Sequence, residues 1–308
     1  MMCDFSIVIP TYNASSFIEE TINSILSQDY KSFEVIVIDD GSTDDTYEKL
    51  KKYKDKIILE QQNNLGDTEA RNRGIQLAKG KYVVSFDHDD ILLPFALKVY
   101  ASVINKFHNP PIINATLYPF KKLLDVNSPE FEYESIQCRK MNSFFKKNIP
   151  LTFYNSNIVI RTDLLKKING YPNNSFAYSD YRLIFRIGDS TPFVAITKPA
   201  TIGYRIHSSN NSSNPDFLID GFIALVNDER KGKLAGGFKY KVDRRGLIAT
   251  NGISLFLQNQ YSAIRNFKYI SKVFLNLRTM LFWGIFRIIA SRYYNSETAS
   301  FKILGNEN

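Results

Sequence analysis

The feature that most constrains the fold is a series of short apolar segments that alternate with segments of helical spacing over the first hundred residues. The clearest apolar segments are Ser6–Pro10, Val35–Ile38 and Tyr82–Phe86, which are rich in β-branched or aromatic residues. Between them, Ser16–Gln28 and Asp67–Lys79 place apolar residues three or four positions apart, as an amphipathic helix does. Continuous apolar strands alternating with helices indicate a parallel sheet covered on both faces. The sequence therefore predicts an α/β fold of the nucleotide-binding type.

Polar residues follow three of the predicted strands, at the edge where a parallel sheet binds its ligands. These strand ends are Thr11–Asn13, Asp39–Ser42 and Asp87–Asp90, and Ser42 with Asp45 resembles a helix-capping pair. The chain contains neither G-x-G-x-x-G nor G-x-x-x-x-G-K-[ST], which argues against a dinucleotide dehydrogenase and a P-loop NTPase. A nucleotidyltransferase is also disfavoured, because no glycine- and lysine-rich phosphate loop lies near the N-terminus. A metal, not a glycine loop, is therefore expected to neutralise a bound diphosphate.

The third strand end places three carboxylates within four residues, at Asp87, Asp89 and Asp90. Hard divalent cations such as Mg²⁺ and Mn²⁺ take carboxylate and phosphate oxygens, with only one or two carboxylates from the protein. Neighbouring carboxylates repel each other unless a cation or a ligand relieves them. The cluster therefore predicts a site for Mn²⁺ or Mg²⁺, while a solvated acidic turn that caps the next helix is the alternative.

The basic charge of the chain is concentrated in one C-terminal segment. Thirteen of the 39 lysines and arginines lie between Arg230 and Arg292, where Asp243 is the only acidic residue. The rest of the chain carries 26 basic and 30 acidic residues, so the net charge of +8 is a local feature. No recognition motif for nucleic acid accompanies the charge, and nucleic acid is not expected as a partner.

Within the basic segment, residues 264–292 combine apolar residues at helical spacing with interleaved lysines and arginines. The stretch is too short and too charged to span a bilayer, but it suits a helix lying in the membrane interface. A helix packed on the α/β domain is the alternative. The N-terminus shows no signal-peptide pattern, so the sequence predicts a cytoplasmic protein at the inner face of the cell membrane.

Four motifs in register resemble the family 2 inverting glycosyltransferases of the GT-A fold. They are Ser6–Asn13 (SIVIPTYN), Val35–Asp44 (VIVIDDGSTD), Asn64–Gly74 (NLGDTEARNRG) and Lys79–Asp90 (KGKYVVSFDHDD). The resemblance extends over residues 4–212. It implies a mostly parallel central sheet flanked by helices that binds a nucleotide sugar.

The resemblance also implies a division of the chain. A GT-A catalytic domain would cover residues 1–215, with a nucleotide-sugar-binding half at 1–104 and an acceptor half at 105–215. A basic helical extension would follow at 216–308.

The resemblance assigns the nucleobase site to the first two strand ends. Asp40 would bind the nucleobase, Pro10, Thr11 and Tyr12 would frame it, and Asp39 would lie nearby.

The metal and the rest of the donor are assigned to the third strand end. Asp87 would contact the ribose or the sugar, and Asp89 would be the principal metal ligand. Asp90 would hold the donor or a metal-bound water. Arg71 would approach the donor, with a structural pairing to the strand-end acids as the alternative.

The catalytic base of this family follows a Gly-Tyr or Gly-Phe turn, which corresponds here to Gly170–Pro172. The resemblance therefore implies Asp180 as the base, although Ser179 replaces the acid that usually precedes it. The motif Tyr204–His207 would supply His207 to the metal and Arg205 to the negative charge of the leaving group.

The implied activity is transfer of a hexosyl or N-acetylhexosaminyl group with inversion, from a nucleoside-diphosphate sugar. A UDP-sugar is the expected donor, and a glycan or lipid-linked acceptor in surface polysaccharide synthesis is the expected acceptor. The alternative is a catalytically silent module of the same fold that only binds a nucleotide sugar or a glycan.

Overall fold

The structure, a computed structural model, describes nine stretches of the chain. They are residues 3–122, 124, 126, 135–142, 154–172, 177–188, 191–210, 214–234 and 297–301. The predicted interfacial helix at 264–292 lies outside them. Within these stretches, no helix is both long enough and apolar enough to cross a membrane.

The first half of the described chain alternates strands and helices, as the apolar pattern predicts. Its elements are β1 (Phe5–Thr11), α1 (Ile18–Leu26), β2 (Phe33–Asp39), α2 (Thr46–Lys51), β3 (Ile58–Gln61), α3 (Asp67–Leu77), β4 (Tyr82–Ser85), β5 (Ile91–Leu92) and α4 (Ala96–Lys106).

The second half is less regular in its order. Its elements are β6 (Ile112–Asn114), β7 (Leu117–Phe120), β8 (Ile136–Met141), a 3₁₀ turn (Asn155–Asn157), β9 (Ile158–Arg161), α5 (Thr162–Lys167), α6 (Ser179–Ile187), β10 (Phe193–Lys198), β11 (Ile202–Arg205), α7 (Pro215–Arg230) and β12 (Glu297–Phe301).

Nine of these strands form one sheet, in the order β12-β8-β10-β6-β9-β4-β1-β2-β3. The pairs β1–β2, β1–β4, β2–β3 and β6–β10 are parallel, whereas β8 and β9 run antiparallel to their neighbours. Seven strands of this sheet therefore point in one direction. The α/β class and the mostly parallel sheet are as predicted. A second sheet, β5-β11-β7, was not predicted.

Alternate residues of the central strands are buried on opposite faces of the sheet, which explains their continuous apolar character. On one face, Ile7 and Val37 pack in a cluster with residues of α1 and α4. On the other face, Val8 and Ile36 pack with residues of α3, α5 and α6. The sheet is thus covered on both sides, and its carboxyl edge is left for a ligand.

One sequence-based detail differs from the structure. Ser42 does not form a capping pair with Asp45, because its hydroxyl donates to Asp39, and Asp44 instead accepts hydrogen bonds from Thr46. Helix α6 begins at Ser179, directly after Tyr178, whose backbone is left-handed with φ of 65°.

The predicted segments at 1–104, 105–215 and 216–308 do not correspond to separate sheets. One sheet contains strands from all three segments: β3, β2, β1 and β4 from the first lie side by side, β9, β6, β10 and β8 from the second continue the sheet, and β12 from the third pairs antiparallel with β8 at its edge. Helix α7, also from the third segment, buries Phe222, Leu225 and Val226. Both described elements of the predicted extension are therefore part of the same folded unit.

We expect Gly74 in α3 to be required for the close approach of this helix to β1. A Cβ atom at residue 74 would lie 2.3 Å from Cγ1 of the buried Val8. Gly74→Ala should therefore lower the free energy of unfolding by about 1–3 kcal/mol through overpacking, despite the better helix propensity of alanine. Denaturant unfolding measures the change.

A double-mutant cycle with Val8→Ala tests the cause. Removal of the Val8 methyl groups opens space for the new Cβ, so the double variant should lose less stability than the two single variants added together. Additive losses would show that the contact between Gly74 and Val8 is not responsible.

Candidate active site

The carboxyl ends of β4, β1, β2 and β3 lie side by side in the sheet, and they bring the predicted strand-end residues to one edge. This arrangement follows from parallel pairing, since Thr11 pairs with Asp39 and Asp39 pairs with Gln61. The predicted nucleobase and metal segments are therefore neighbours in space.

Asp40 organises the loop that follows β3. Its carboxylate accepts hydrogen bonds of 2.8 Å from the Gln62 side chain and from the backbone N–H groups of Leu65 and Gly66. Gly66 has a φ of 97°, a conformation that favours glycine, and α3 begins at the next residue. Asp40 thus fixes both the start of α3 and the loop that borders the carboxyl edge of the sheet.

A surface pocket of about 610 Å³ lies beside Asp40 and is lined mainly by amide side chains and turn residues. The residues that line it are Gly41, Ser42, Gln61, Gln62, Asn63 and Asn64. Asp39 lies below the pocket with no exposed surface, and it accepts from Ser42 and from the Gln61 amide at 2.8 Å. Asp39 therefore lies near the predicted nucleobase site, where its oxygens hold the pocket wall, and its part in binding the donor stays a prediction.

The end of β1 contributes both a buried and an exposed group. The Thr11 side chain is buried, and its Oγ1 has no hydrogen-bond partner within the described stretches. Tyr12 follows with 42% of its surface exposed. The Pro10 carbonyl lies 3.3 Å from Nδ1 of His88, which ties β1 to the acidic segment after β4.

Arg71 is a structural partner of the strand-end acids. It is buried and donates to Ser85 Oγ at 2.7 Å and to the Asp87 carboxylate. Its Nε lies 3.7 Å from the Asp67 carboxylate, one turn earlier on α3. The structure therefore favours the pairing alternative over direct contact of Arg71 with the donor.

Asp90 joins the two sheets from inside the protein. Its carboxylate is buried and accepts hydrogen bonds from Ser156 Oγ at 2.6 Å and from the Arg205 backbone N–H at 3.0 Å. Burial, followed by the charges of Asp89 and Asp87, raises the pKa of Asp90 well above its ordinary value. The predicted contact of Asp90 with the donor is thus not supported, because both oxygens face protein groups.

Arg205 supports the acidic segment and does not extend into solvent. Its guanidinium donates to the Asp89 carbonyl oxygen at 2.8 Å and to Glu20 at 2.6 Å, and it lies 5.1 Å from the ring centre of Phe17. The predicted role at the leaving group therefore requires that Arg205 exchange one of these partners or act through the backbone of Asp89.

Asp89 and His207 face each other. His207 Nε2 lies 2.9 Å from Asp89 Oδ2, both side chains are largely buried, and the His207 ring packs on Phe17 with centroids 4.6 Å apart. One carboxylate and one imidazole suit Mn²⁺ or Mg²⁺ when phosphate oxygens complete the coordination sphere. Within the described residues, no group of three or more histidine, cysteine or acidic side chains is placed to hold a metal.

The mutual repulsion of the three acids is relieved largely by the protein itself. Asp87 pairs with Arg71, Asp89 lies against His207, and Asp90 is buried with a raised pKa. Repulsion among the acids alone is therefore a weak argument for a metal. The case for a metal rests on the Asp89–His207 pair.

Asp180 lies in the first turn of α6 and is half-buried. Burial raises its pKa to about 7, a hydrogen bond from the Tyr181 backbone N–H opposes this rise, and the charge of Asp87 adds to it. The charges of Asp87 and Arg71 both act on the pKa of Asp180, so Asp180 lies within electrostatic range of the acidic strand end. A carboxyl group with a pKa near neutrality can accept a proton under cellular conditions.

The segment before Asp180 is tied to α3. Asn72 forms two hydrogen bonds with the backbone of Tyr171, at 2.7 and 3.0 Å, and the Tyr171 hydroxyl donates to Ser85 at 3.0 Å. Gly170 has a φ of 63°, and a Cβ there would lie 2.2 Å from Asn72 Oδ1. The Gly-Tyr turn is therefore fixed to the same helix that carries Arg71.

Two tyrosines lie within electrostatic range of Asp180. Its negative charge contributes, after burial, to the raised pKa values of Tyr154 and Tyr178. The ring of Tyr154 packs against that of Tyr204, with centroids 5.2 Å apart. The hydroxyl of Ser179 accepts a long hydrogen bond of 3.4 Å from the Asn155 side-chain amide.

Sequence reasoning missed several residues that hold the site together. Ser156 and Glu20 lie far along the chain from their partners Asp90 and Arg205, and neither belongs to a motif. Phe17 is one of the regularly spaced apolar residues of a predicted helix, and this spacing predicts only core packing. Gln62 directly follows β3, so its position after a strand is the one local signal of the kind that marks the other site residues.

Comparison with known proteins gives a consistent picture. Residues 6–169 match the family described as Glycosyl transferase family 2. An uncharacterised glycosyltransferase of Rickettsia prowazekii is 30% identical over 257 residues, which span 80% of this chain and 75% of that protein. The UDP-Glc:α-D-GlcNAc-diphosphoundecaprenol β-1,3-glucosyltransferase WfaP of Escherichia coli is 30% identical over 214 residues, which span 68% of this chain and 80% of WfaP.

A solved structure is similar along nearly the whole chain. The crystal structure of residues 1–349 of Staphylococcus aureus TarS in complex with UDP-GlcNAc gives a TM-score of 0.62 at 21% identity, covering 95% of this chain and 93% of that chain. At this identity the likeness shows the fold, and it confirms the predicted α/β fold of GT-A type.

We expect the raised pKa of Asp180 to appear in the pH dependence of catalysis. The reactive form is the deprotonated carboxylate, so kcat/KM for the acceptor should rise with pH up to an apparent pKa near 7 and then level off. Asp180→Asn should lower kcat by about 10²–10⁴-fold at every pH and remove this dependence. Initial rates between pH 5 and 9 measure both effects.

A matched control is Asp163→Asn, since Asp163 also lies in the first turn of a helix but is exposed and paired with Arg161. This variant should keep the profile of the unaltered protein. A profile of Asp180→Asn that retains the acidic limb would show that another group controls it.

Proposed function

Because the chain belongs to glycosyl transferase family 2, we propose that it transfers a sugar from a nucleoside-diphosphate sugar to an acceptor hydroxyl with inversion at the anomeric carbon. The observation that carries this proposal is the placement of Asp180. Its carboxyl, with a pKa near 7, lies within electrostatic range of the strand-end acid Asp87. A proton acceptor thus lies on the same side of the protein as the proposed diphosphate site, as a single displacement requires.

A UDP-sugar is the proposed donor. The amide-lined pocket beside Asp40 offers hydrogen-bond donors and acceptors. Tyr12, the exposed aromatic residue after β1, lies at the same edge of the sheet. Stacking on an aromatic ring and pairing with amides are contacts that a pyrimidine base can use. The name of WfaP and the TarS complex, both of which involve a UDP-sugar, agree with this choice.

Asp89 and His207 are the proposed ligands of Mn²⁺ or Mg²⁺. When bound, the metal supplies Lewis-acid stabilisation of the departing diphosphate. Glu20, Arg205 and Phe17 hold this pair in place, since Arg205 bridges Glu20 and the Asp89 backbone while Phe17 packs on His207. The protein would therefore supply two metal ligands that their neighbours hold in place. The diphosphate and water would complete the coordination.

Asp180 acts as the general base in this proposal. It accepts the proton of the acceptor hydroxyl as that oxygen attacks the anomeric carbon, and the bond from this carbon to the diphosphate breaks. No covalent intermediate with the protein forms. Arg71 is held between Asp87 and Ser85. Its positive charge also acts on Asp180 and limits how far burial raises the pKa of Asp180.

The acceptor is proposed to be a glycan, either free or linked to a lipid. The packed rings of Tyr154 and Tyr204 lie beside the base and offer an apolar face to the C–H groups of a sugar ring. WfaP, whose name specifies a diphosphoundecaprenol-linked acceptor, supports a lipid-linked glycan. We accordingly propose surface-glycan synthesis at the cytoplasmic face of the membrane, with contact through the basic segment at 264–292.

A donor panel tests the proposal. Purified protein with Mn²⁺ is incubated with UDP-Glc, UDP-GlcNAc, UDP-Gal and GDP-Man, and release of the nucleoside diphosphate is measured with and without membrane lipid extract as acceptor. One donor should turn over, and chelation of the metal should stop it. Asp89→Ala should weaken donor binding, whereas Asp180→Asn should keep the donor affinity and lose about 10²-fold or more in kcat.

The matched control is Asp55→Ala, an exposed acidic residue ahead of β3 at the opposite end of that strand. It should behave as the unaltered protein. Tight binding of one donor without turnover, even with lipid extract, would contradict the transferase proposal and favour a silent module that only binds the nucleotide sugar.

A further inference from the structure

Helix α7 contacts the segment that carries the proposed base at two separate points. Asp180 lies between these points on the neighbouring segment, which runs from Ala177 through the first turn of α6. Since α7 belongs to the sequence segment predicted as an extension beyond the catalytic domain, its contacts with this segment assign a function to the extension.

The first contact is a close approach between backbones. A Cβ atom at Gly221 of α7 would lie 2.6 Å from both the Cβ atom and the carbonyl oxygen of Ala177. Real Cβ atoms do not come this close to their neighbours, so α7 can lie against Ala177 only because residue 221 is a glycine. Phe222 and Leu225, which are fully buried, fix the same face of α7 in the core.

The second contact is a buried ion pair. Arg182, two residues after Asp180, donates from Nε and Nη2 to Asp228 Oδ2 of α7, at 2.8 and 2.7 Å. The two side chains are only 5% and 13% exposed. A buried arginine that loses its counterion is strongly destabilised, so this pair restrains α6 against movement along α7.

The backbone between the two contacts is strained. Tyr178 has φ of 65° and ψ of 26°, a left-handed conformation that costs a residue with a side chain of order 1–2 kcal/mol. Such a conformation persists only where the surrounding structure holds it. The two α7 contacts flank Tyr178 and supply that restraint, and Asp180 follows it by two residues.

We propose that Gly221 and Asp228 of α7 are positioning residues for catalysis, which hold the turn at Tyr178 so that Asp180 faces the acceptor hydroxyl. This inference rests on the proposed role of Asp180 as the base. It assigns to the start of the predicted extension a part in the chemical step, through the geometry of α6 and without contact to the donor.

The test compares kcat with donor affinity in the full chain. Asp228→Asn keeps the shape of the side chain but removes the charge that holds Arg182. Its kcat at saturating substrates should fall about 10- to 100-fold, because small displacements of a catalytic group cost this much, while the Kd for the UDP-sugar should stay within twofold. Asp228→Glu retains the charge but places it one methylene farther from the helix, so its kcat should lie between those of Asp228→Asn and the unaltered protein.

The control on the same helix is Asp216→Asn, at an exposed position in the first turn of α7, which should leave kcat unchanged. Folding is checked by circular dichroism, and rates are measured well below the unfolding midpoint. If Asp228→Asn does not fold, Asp228→Glu alone still decides, because a positioning role requires its kcat to lie measurably below that of the unaltered protein.

A lower melting temperature with unchanged kcat in the Asp228 variants would overturn the proposal, since α7 would then only stabilise the fold. Failure of the underlying function is recognised separately. If Asp180→Asn retains full activity, Asp180 is not the base, whatever the Asp228 variants show.

Discussion

The buried carboxylate of Asp90 is the interaction on which the geometry of the site depends. It accepts hydrogen bonds from Ser156, just ahead of β9, and from the backbone of Arg205 at the end of β11, so it joins the large sheet to the small one. Because Asp87 and Asp89 precede it directly, they are held at the junction. The acidic segment is therefore a structural joint as much as a ligand site, and this is why its members differ so strongly in burial.

Around this joint, each functional carboxylate has its own support. Arg71 holds Asp87, while His207 faces Asp89 and is itself packed on Phe17. Asp180 has no such cation in contact within the described part of the chain, and burial raises its pKa to about 7, which makes its carboxyl able to take up a proton. The local surroundings thus distinguish Asp180 from the acids that pair with Arg71 and His207.

The sequence predicts the parallel half of the fold well because its strands are buried on both faces and read as continuous apolar runs. It predicts the strand-end residues equally well, since parallel pairing brings them to one edge. The sequence does not reveal which of the strand-end carboxylates hydrogen-bond to groups inside the protein. Asp90 and Asp39 look like donor ligands in the sequence, and only the three-dimensional contacts with Ser156 and Gln61 show them to be internal. Long-range partners of this kind leave no periodic signal in the chain.

Reaction stereochemistry tests the central claim most directly, since Asp180 as the only base implies one displacement without a covalent intermediate. The anomeric configuration of the product can be followed by proton NMR during transfer from an α-linked UDP-sugar. The account predicts a β-glycoside from the first turnover, with no α-anomer. A product that retains the α-configuration would contradict it, because retention cannot arise from a single in-line attack assisted by one carboxylate.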